Sequence, residues 1–207
     1  FDWALIGLVV CSVIGIGLPG SINERGFLDG STNLPEWVDK PLKQKLEEVF
    51  DCDVFIKNDA EIGALGEAQY GSDDKDDFLY LTWGTGLGVA QIKWQDDKPQ
   101  VNRPANRQSI YDLEAMVGGK DIETKFGKRA AELSDNEWGT IIDDLYSKLP
   151  ALADEYSFHK FIIGGGIADK KKSLLEKKAE TLNNIKVRIT DLEGKAGLYG
   201  ALALCKI

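Results

Sequence analysis

The sequence contains a single histidine, His159, which excludes any mechanism that depends on several histidines. Cysteines are also few. The three that occur are scattered, odd in number and placed among apolar residues: Cys11, Cys52 and Cys205. This spacing is poorly suited to a disulfide framework or to a metal site, and it favours buried thiols in a reducing compartment. We therefore expect a cytoplasmic protein.

The chain lacks an excess of basic residues and a long uninterrupted apolar run. Its net charge is −9 at pH 7, whereas a nucleic-acid backbone requires a basic face. The longest apolar stretch, residues 3–19, is broken by glycines and a serine and is shorter than the ~20 residues of a membrane span. No basic segment precedes it, as a secretion signal would require. We expect neither nucleic acid nor a membrane as a partner.

Strand patterns and helix patterns alternate along the chain, which predicts an α/β protein with a mixed sheet. The strand patterns are "CSVIGIGL", "CDVFIK", "DFLYLTWG", "LGVAQIKW", "KFIIGGG" and "NIKVRI". The helix patterns cover residues 39–50, 60–70, 110–156 (interrupted at Gly118-Gly119 and Pro150), a lysine-rich stretch after 168, and 194–204. The polar segment "GSDDKDD", residues 71–77, is the best candidate for a hinge.

Asn58 and Asp59 stand together where a strand pattern ends and a helix pattern begins. Open α/β sheets bind their ligands at such ends, but the same place also suits a helix N-cap, so the two residues alone leave both interpretations open. A carboxylate close to a nucleotide phosphate could accept the proton of a substrate hydroxyl as that hydroxyl attacks the γ-phosphoryl group.

Three glycine-rich turns each follow an apolar strand pattern: "GIGLPG" (15–20), "GTGLG" (84–88) and "IGGGIA" (163–168). Glycine lets backbone N–H groups approach an anion closely, although a single glycine turn is more often ordinary turn chemistry. No Walker A loop occurs in the sequence, and "GIGLPG" does not open a helix as a dinucleotide-binding turn does. Three such turns beside a strand-end acid favour a phosphate site.

Several motifs resemble those of the ROK family of sugar kinases, and they occur in that family's order. They are "IGIGLPGSINERGFL", "NDAEIGALGE", "LTWGTGLGVAQI", "LEAMVGG", "IIGGGIA" and "AGLYGALAL". The resemblance runs from Val13 to Leu204. It implies the actin-like, hexokinase-type (ribonuclease-H-like) α/β fold, with two lobes, mixed sheets and a central cleft. The implied small lobe comprises residues 1–72 and the C-terminal helix 193–207, and the larger lobe comprises residues 73–192.

The resemblance also implies roles for individual residues. Asp59 would be the catalytic base that takes a proton from the sugar hydroxyl. The residues that would bind the sugar are Gly20, Thr32, Asn58, Asp59 and Glu114. Those that would bind the nucleotide are Gly84, Thr85, Gly86 and Gly88 under the phosphates, and Gly164, Gly165 and Gly166 under the adenosine. Without the family, Asp59 would be an N-cap, Glu114 a solvated helix residue and the glycines ordinary turns.

The sequence departs from the family's pattern in three places. The first phosphate loop, an Asp-Gly-Gly-Thr turn, does not occur, so we expect that an N-terminal segment is missing. The family's Glu-x-Gly-His stretch has "RPAN" as its nearest counterpart, which places Arg103 and Asn106 where a sugar-binding glutamate and a histidine are usual. The cysteine-rich loop that holds zinc in many relatives is also missing, so we expect no zinc and no other bound metal site.

The resemblance predicts a kinase that phosphorylates a hexose such as glucose. Its donor would be ATP or polyphosphate, and Mg²⁺ would be held mainly by the phosphates and water. The family's members are commonly dimers, so a homodimer is expected. A second hypothesis is a catalytically impaired relative that acts as a sugar-binding sensor, regulator or interaction module, which Arg103 and the missing phosphate loop favour. Relatives that act as repressors carry an N-terminal DNA-binding segment.

Overall fold

The structure, a computed structural model, describes residues 13–23, 25–31, 34–71, 74–182 and 184–206. Its strands are β1 (Val13–Leu18), β2 (Ser21–Ile22), β3 (Leu28–Gly30), β4 (Asp53–Asn58), β5 (Phe78–Trp83), β6 (Leu87–Gln95), β7 (Lys98–Asn102), β8 (Lys160–Gly164) and β9 (Lys186–Ile189). Its α-helices are α1 (Leu42–Phe50), α2 (Asp59–Gly66), α3 (Gln108–Val117), α4 (Gly119–Phe126), α5 (Asp135–Tyr156), α6 (Gly166–Lys170), α7 (Lys172–Ala179) and α8 (Ala196–Leu204). A π-helical turn, Glu67–Gly71, continues α2, and 3₁₀ turns cover Pro35–Trp37 and Ala130–Glu132.

The largest sheet has five strands in the order β7-β6-β5-β8-β9. Its central strand, β5, pairs antiparallel with β6 and parallel with β8, which makes the sheet mixed. Separately, β1 and β4 form a parallel pair in which Leu18 lies opposite Asn58. The predicted α/β class with mixed sheets is confirmed, and so is the hairpin of two strands on either side of "GTG".

Apolar side chains on both faces of β5 are buried, because helices cover the five-stranded sheet on each side. Side chains of a strand point alternately to its two faces. Leu79, Leu81 and Trp83 join the larger core cluster with residues of α3, α4, α5 and α7. Phe78 and Tyr80 join the second cluster with residues of α2 and α8. Helices α2 and α8 therefore lie between this sheet and the pair β1-β4, which both helices also contact.

The long helical pattern predicted over residues 110–156 is divided differently from the prediction. The break at Gly118-Gly119 is confirmed, since α3 ends at Val117 and α4 begins at Gly119. The interruption predicted at Pro150 is wrong, because α5 runs through it without a break. Pro150 is exposed, while α5 buries an apolar stripe that includes Trp138, Ile141, Leu145 and Leu149. Burying that stripe outweighs the backbone hydrogen bond that proline removes.

The C-terminal end of α2 is anchored to β9 by a buried carboxylate. Glu67, in the π-helical turn, accepts hydrogen bonds from the Arg188 guanidinium at 2.7 Å and from the Thr190 hydroxyl. The predicted helix over 60–70 is thus an α-helix to Gly66 followed by a π-helical turn. Because α2 belongs to one predicted lobe and β9 to the other, the anchor joins them. The division into lobes at about residue 72 stays a prediction.

His159 and the cysteines have no role in the predicted mechanism. His159 is exposed just before β8. Cys52 and Cys205 are half-buried rather than buried. Cys11 lies outside the described residues. No helix in the described part of the chain is both long and apolar enough to cross a membrane.

Candidate functional site

A cavity of about 710 Å³ brings together most of the residues that the sequence analysis selected. Its walls come from the ends of β1 and β4, the start of α2, the turn between β5 and β6, and the start of α3. The predicted residues that line it are Gly20, Asn58, Asp59, Gly84, Thr85, Gly86, Gly88 and Glu114. Thr32, which was predicted to bind the sugar, lies outside the described residues.

Asp59 is the first residue of α2 and its side chain opens onto this cavity. The N-cap role falls to Asn58, so the simpler interpretation of Asp59 as a cap does not hold. The Asp59 carboxylate accepts the Ala60 N–H at 2.9 Å. Although the residue is solvent-exposed, the cavity walls raise the pKa of its carboxyl above 3.8, against the lowering effects of the Ala60 N–H and the Arg103 charge. Asp59 is therefore a somewhat better proton acceptor than an ordinary aspartate.

Asn58 is buried and its amide is committed to hydrogen bonds within the protein. Its Nδ2 donates to the Gly20 carbonyl at 2.7 Å and to the Leu18 carbonyl at 3.4 Å. Its Oδ1 accepts the Ala60 N–H at 3.0 Å, which caps α2. Asn58 thus fixes the ends of β1 and β4 to each other beside the cavity. Its predicted hydrogen bond to a sugar stays a prediction.

Glu114, on α3, shapes the glycine turn between β5 and β6. Its Oε1 accepts the Leu87 N–H at 2.9 Å, and a Cβ added at Gly86 would overlap the same oxygen. A Cβ at Gly88 would lie 2.6 Å from Cγ2 of Thr82. A side chain at Gly86 would therefore displace the Glu114 carboxylate, and one at Gly88 would crowd Thr82. The sugar-binding role of Glu114 stays a prediction, because the contact that the structure gives it is with the turn.

A second cavity, of about 740 Å³, lies on the other side of the same turn. Gly84 and Thr85 line both cavities. The other residues around the second one are Gly119, Lys120, Glu123, Ala130, Ala131, Trp138, Gly166, Ile167, Lys170 and Lys171. Of the three glycines predicted under the adenosine, Gly166 lines this cavity. Gly164 is buried against Tyr80, and Gly165, with a φ of 96°, packs tightly against the backbone of Trp83.

Two residues that the sequence analysis missed, Arg107 and Tyr111, line the first cavity together with Arg103. Arg103 and Arg107 lie in the connection between β7 and α3, and Tyr111 lies in the first turn of α3. The available signal was two arginines in one short connection of a chain whose net charge is −9. Asn106, the expected counterpart of the family's histidine, is exposed, and its side chain caps the next turn by accepting the Gln108 N–H at 3.1 Å.

The arrangement can hold one ligand on each side of a backbone turn, with Asp59 on the side of the first cavity. Cavities of several hundred Å³ are the size that small-molecule ligands occupy. The described residues contain no group of three or more histidine, cysteine, aspartate or glutamate side chains that could hold a metal ion.

Residues 8–98 match the model of the ROK family. Two curated relatives match over part of the chain. A glucokinase of Halalkalibacterium halodurans is 46% identical over 77 residues, which are 36% of this chain and 23% of that protein. A xylose repressor of Caldicellulosiruptor bescii is 42% identical over 81 residues, which are 38% of this chain and 20% of that protein. The matched stretches thus span about a quarter or less of the relatives' lengths.

Solved structures resemble the chain over nearly its whole length. An inorganic polyphosphate/ATP-glucomannokinase from Arthrobacter sp. strain KM gives a TM-score of 0.72 at 25% identity, covering 96% of this chain and 75% of that one. A ROK family glucokinase from Streptomyces griseus, in complex with glucose and AMPPNP, gives 0.72 at 23% identity, covering 93% and 81%. The predicted hexokinase-type fold is confirmed. With 207 residues the chain is shorter than these proteins; over residues 8–98 its sequence is related to the ROK family and its glucokinases, and its fold matches the ROK sugar kinase structures.

Proposed function

We propose that the protein is a sugar kinase that transfers a phosphoryl group from ATP or polyphosphate to a hexose, with Asp59 as the general base. One observation carries the proposal: the Asp59 carboxylate opens into one cavity, and a glycine turn separates that cavity from a second one. Phosphoryl transfer needs an acceptor and a donor on opposite sides of the transferred group, with a base beside the acceptor hydroxyl. The named activities of the relatives are consistent with it.

In this proposal each part of the site has a distinct task. Asp59 accepts the proton of the attacking hydroxyl, for which its raised pKa is favourable. The turn at residues 84–88 lies between donor and acceptor and directs backbone groups toward the phosphates. Glu114 holds that turn through the Leu87 N–H. Mg²⁺ would be carried by the donor's phosphates and water and would neutralise their charge.

The second cavity has the features that a nucleotide requires. A Cβ built on Gly84 or Gly166 would meet no atom within 4 Å, so side chains at these positions would occupy cavity space. Three lysines at its walls supply positive charge: Lys120, Lys170 and Lys171. The Trp138 indole N–H is buried and has no acceptor among the described residues, which leaves a donor for a ligand. These residues fit a nucleotide better than a neutral apolar molecule.

The proposal is tested by measuring ADP release and phosphate transfer with Mg-ATP, and separately with polyphosphate, against a panel of hexoses. The encoded full-length protein should be used. We expect turnover that depends on a sugar and saturates with its concentration. The absence of phosphate transfer to every sugar from both donors would contradict the kinase proposal.

A sugar-binding sensor is the second candidate. The xylose repressor matches the chain about as well as the glucokinase does, and the resemblance places Arg103 where a sugar-binding glutamate is usual in the sugar kinases. A sensor would bind a sugar and show no turnover. Calorimetric titration with the same panel therefore separates the two candidates, since it detects binding whether or not a phosphoryl group moves.

Nucleotide binding is expected to change the fluorescence of Trp138. A nucleotide in the second cavity would alter the surroundings of this indole and offer its N–H an acceptor. Titration with Mg-ADP should therefore change the emission of the wild type, and Trp138→Phe should remove most of that change. Trp37→Phe is the matched control, because Trp37 is exposed in a 3₁₀ turn. A change that survives in Trp138→Phe and disappears in Trp37→Phe would place the nucleotide elsewhere.

A further inference from the structure

Two guanidinium groups lie at the first cavity, close to Asp59. Arg103 follows the end of β7 and Arg107 precedes α3, and both are half-buried. The Nε of each is buried and has no hydrogen-bond acceptor among the described residues. Within the same described ranges, no carboxylate oxygen lies within ion-pair distance of either guanidinium, although the charges of Glu61 and Asp59 act on Arg103. Buried donors are nearly always paired in folded proteins, so two orphaned N–H groups beside a cavity indicate a ligand.

The contacts that the two arginines do make leave much of each guanidinium free. Arg103 donates one Nη1 hydrogen bond to the Gly20 carbonyl at 3.1 Å. Arg107 stacks its guanidinium over the Tyr111 ring, with 5.9 Å to the ring centroid. An arginine has five N–H donors in a planar fork and no acceptor. Contacts within the protein therefore use one N–H of Arg103 and one face of the Arg107 guanidinium. They do not use the remaining N–H donors of the two side chains.

The charges around this end of the cavity are unbalanced. Of the carboxylates whose charges act here, Glu114 accepts the Leu87 N–H and Glu61 is paired with Lys57, which leaves Asp59 to face the two cations. Burial lowers the pKa of Arg103, and the like charge of Arg107 lowers it further. The whole chain has a net charge of −9, so a pair of close, unpaired cations is not a consequence of a generally basic surface. An anion bound between them would relieve both the desolvation and the repulsion.

Neutral hexoses do not explain this arrangement. Their hydroxyls pair equally well with side chains that both donate and accept, whereas arginine only donates. A carboxylate or a phosphate matches the guanidinium fork through two parallel charge-assisted hydrogen bonds. Asp59 cannot supply this anion, because in the proposed reaction it must remain free to take a proton.

We propose that the protein's sugar is acidic, with its carboxylate or phosphate bound by Arg103 and Arg107 while a hydroxyl faces Asp59. This inference rests on the proposal that the first cavity is the sugar site. Both anionic groups share the chemistry that the arginines recognise, and the experiment distinguishes them. The pair would then determine specificity, because a neutral hexose leaves both guanidinium groups unpaired.

The test is calorimetric binding to the encoded full-length protein without nucleotide, using glucose, glucuronate, glucose 6-phosphate and inorganic phosphate. At least one of the acidic sugars should bind about 10-fold or more tightly than glucose and than inorganic phosphate, because hydrogen bonds to charged groups are worth more than neutral ones. Arg107→Gln should remove about 10-fold or more of that affinity and leave glucose binding little changed. Arg107→Lys should give an intermediate loss, since it keeps the charge but not the fork.

Arg25→Gln is the matched control, because Arg25 is exposed and is not among the residues that line the cavity. It should leave all four affinities unchanged. Glucose binding as tightly as the acidic sugars would overturn the inference, as would an unchanged preference in Arg107→Gln. Inorganic phosphate binding as tightly as either acidic sugar would also overturn it, because the arginines would then hold a phosphate rather than the sugar.

The acidic-sugar inference and the kinase proposal can fail independently of each other. Tight binding of an acidic sugar without turnover would support the acidic-sugar inference and contradict the kinase. Turnover of glucose by a wild type that binds neither acidic sugar more tightly than glucose would support the kinase and contradict the acidic sugar.

Discussion

Replacing Asp59 with asparagine is expected to lower sugar-dependent phosphoryl transfer by a factor of about 10² to 10⁴, the range that general-base catalysis supplies. The asparagine side chain would still fit at the first position of α2, and its amide oxygen could still accept the Ala60 N–H. It could not accept the proton of the attacking hydroxyl. The loss should therefore fall on kcat, with the affinity for the sugar changing much less. Initial rates over a range of sugar concentrations separate the two effects.

Asp53→Asn provides the matched control. Asp53 is exposed at the opposite end of β4, so the same chemical change is made on the same strand, away from the cavity. It should leave kcat unchanged. If Asp59→Asn retained a kcat within a few-fold of the wild type, Asp59 would not be the base, even though the protein binds a sugar.

The raised pKa of Asp59 offers a second readout of the same variant, which excludes misfolding as the cause of lost activity. Burial raises the pKa of Asp59 above 3.8, so its ionised form is less favourable in the folded protein than in the unfolded chain. Ionisation of Asp59 therefore lowers the free energy of unfolding. This destabilisation is absent at pH values below the pKa of Asp59 in the unfolded chain. It is fully present at pH values above the pKa of Asp59 in the folded protein. Asp59→Asn should therefore be at least as stable as the wild type at pH 7. Its advantage should shrink as the pH falls toward 3.8, which denaturant unfolding at several pH values measures.

The parts of the site that depend on local sequence were predictable. Asp59 stands where an apolar strand meets a helix, and "GTG" lies between two strand patterns, so both were placed correctly relative to the strands. Parallel strands bring such ends to one edge of a sheet. No pairing between distant segments had to be known in order to select them.

The parts that depend on distant partners were not predictable. Asn58 donates a hydrogen bond to the Gly20 carbonyl, 38 residues away in the sequence. Arg103 donates to the same carbonyl and is 83 residues away from Gly20. Nothing local to either residue indicates these hydrogen bonds. Pro150 is the opposite case: a strong local signal for a break was overridden by the tertiary packing of α5. A break that was not predicted follows α4 at Gly127, whose positive φ of 65° is one that a helix C-terminus favours.

The role of the glycines at the contact between α2 and α8 was also not predictable from the sequence, because it depends on how the two helices pack. A Cβ at Gly200 would overlap the Ile62 carbonyl, and one at Gly66 would overlap the Ala196 carbonyl. The obstacle in each case is backbone, which cannot turn aside as a flexible side chain can. The two helices therefore approach so closely that neither can carry a side chain at these points. Asp59 is the first residue of α2, so the contact between α2 and α8 also determines the position of the Asp59 carboxylate in the cavity.

Gly200→Ala is accordingly expected to lower the free energy of unfolding by about 3 kcal/mol, the upper part of the range for overpacked cores. The matched control is Gly197→Ala on the same helix, where an added Cβ would meet no atom within 4 Å. There the better helix propensity of alanine should raise the free energy of unfolding by up to about 1 kcal/mol. Denaturant unfolding of both variants measures the two signs.

The opposite signs matter because helix propensity alone predicts that both substitutions stabilise α8. If Gly200→Ala were also stabilising, the close approach of α2 and α8 would not exist in solution. If it is destabilising, the variant that still folds must have moved α2 away from α8, and Asp59 with it. Its kcat should then fall while Gly197→Ala keeps full activity, since displacements of about 1 Å at a catalytic group can cost about 10²-fold. A packing contact on the far side of α2 would thus be as necessary for catalysis as the residues that line the cavity.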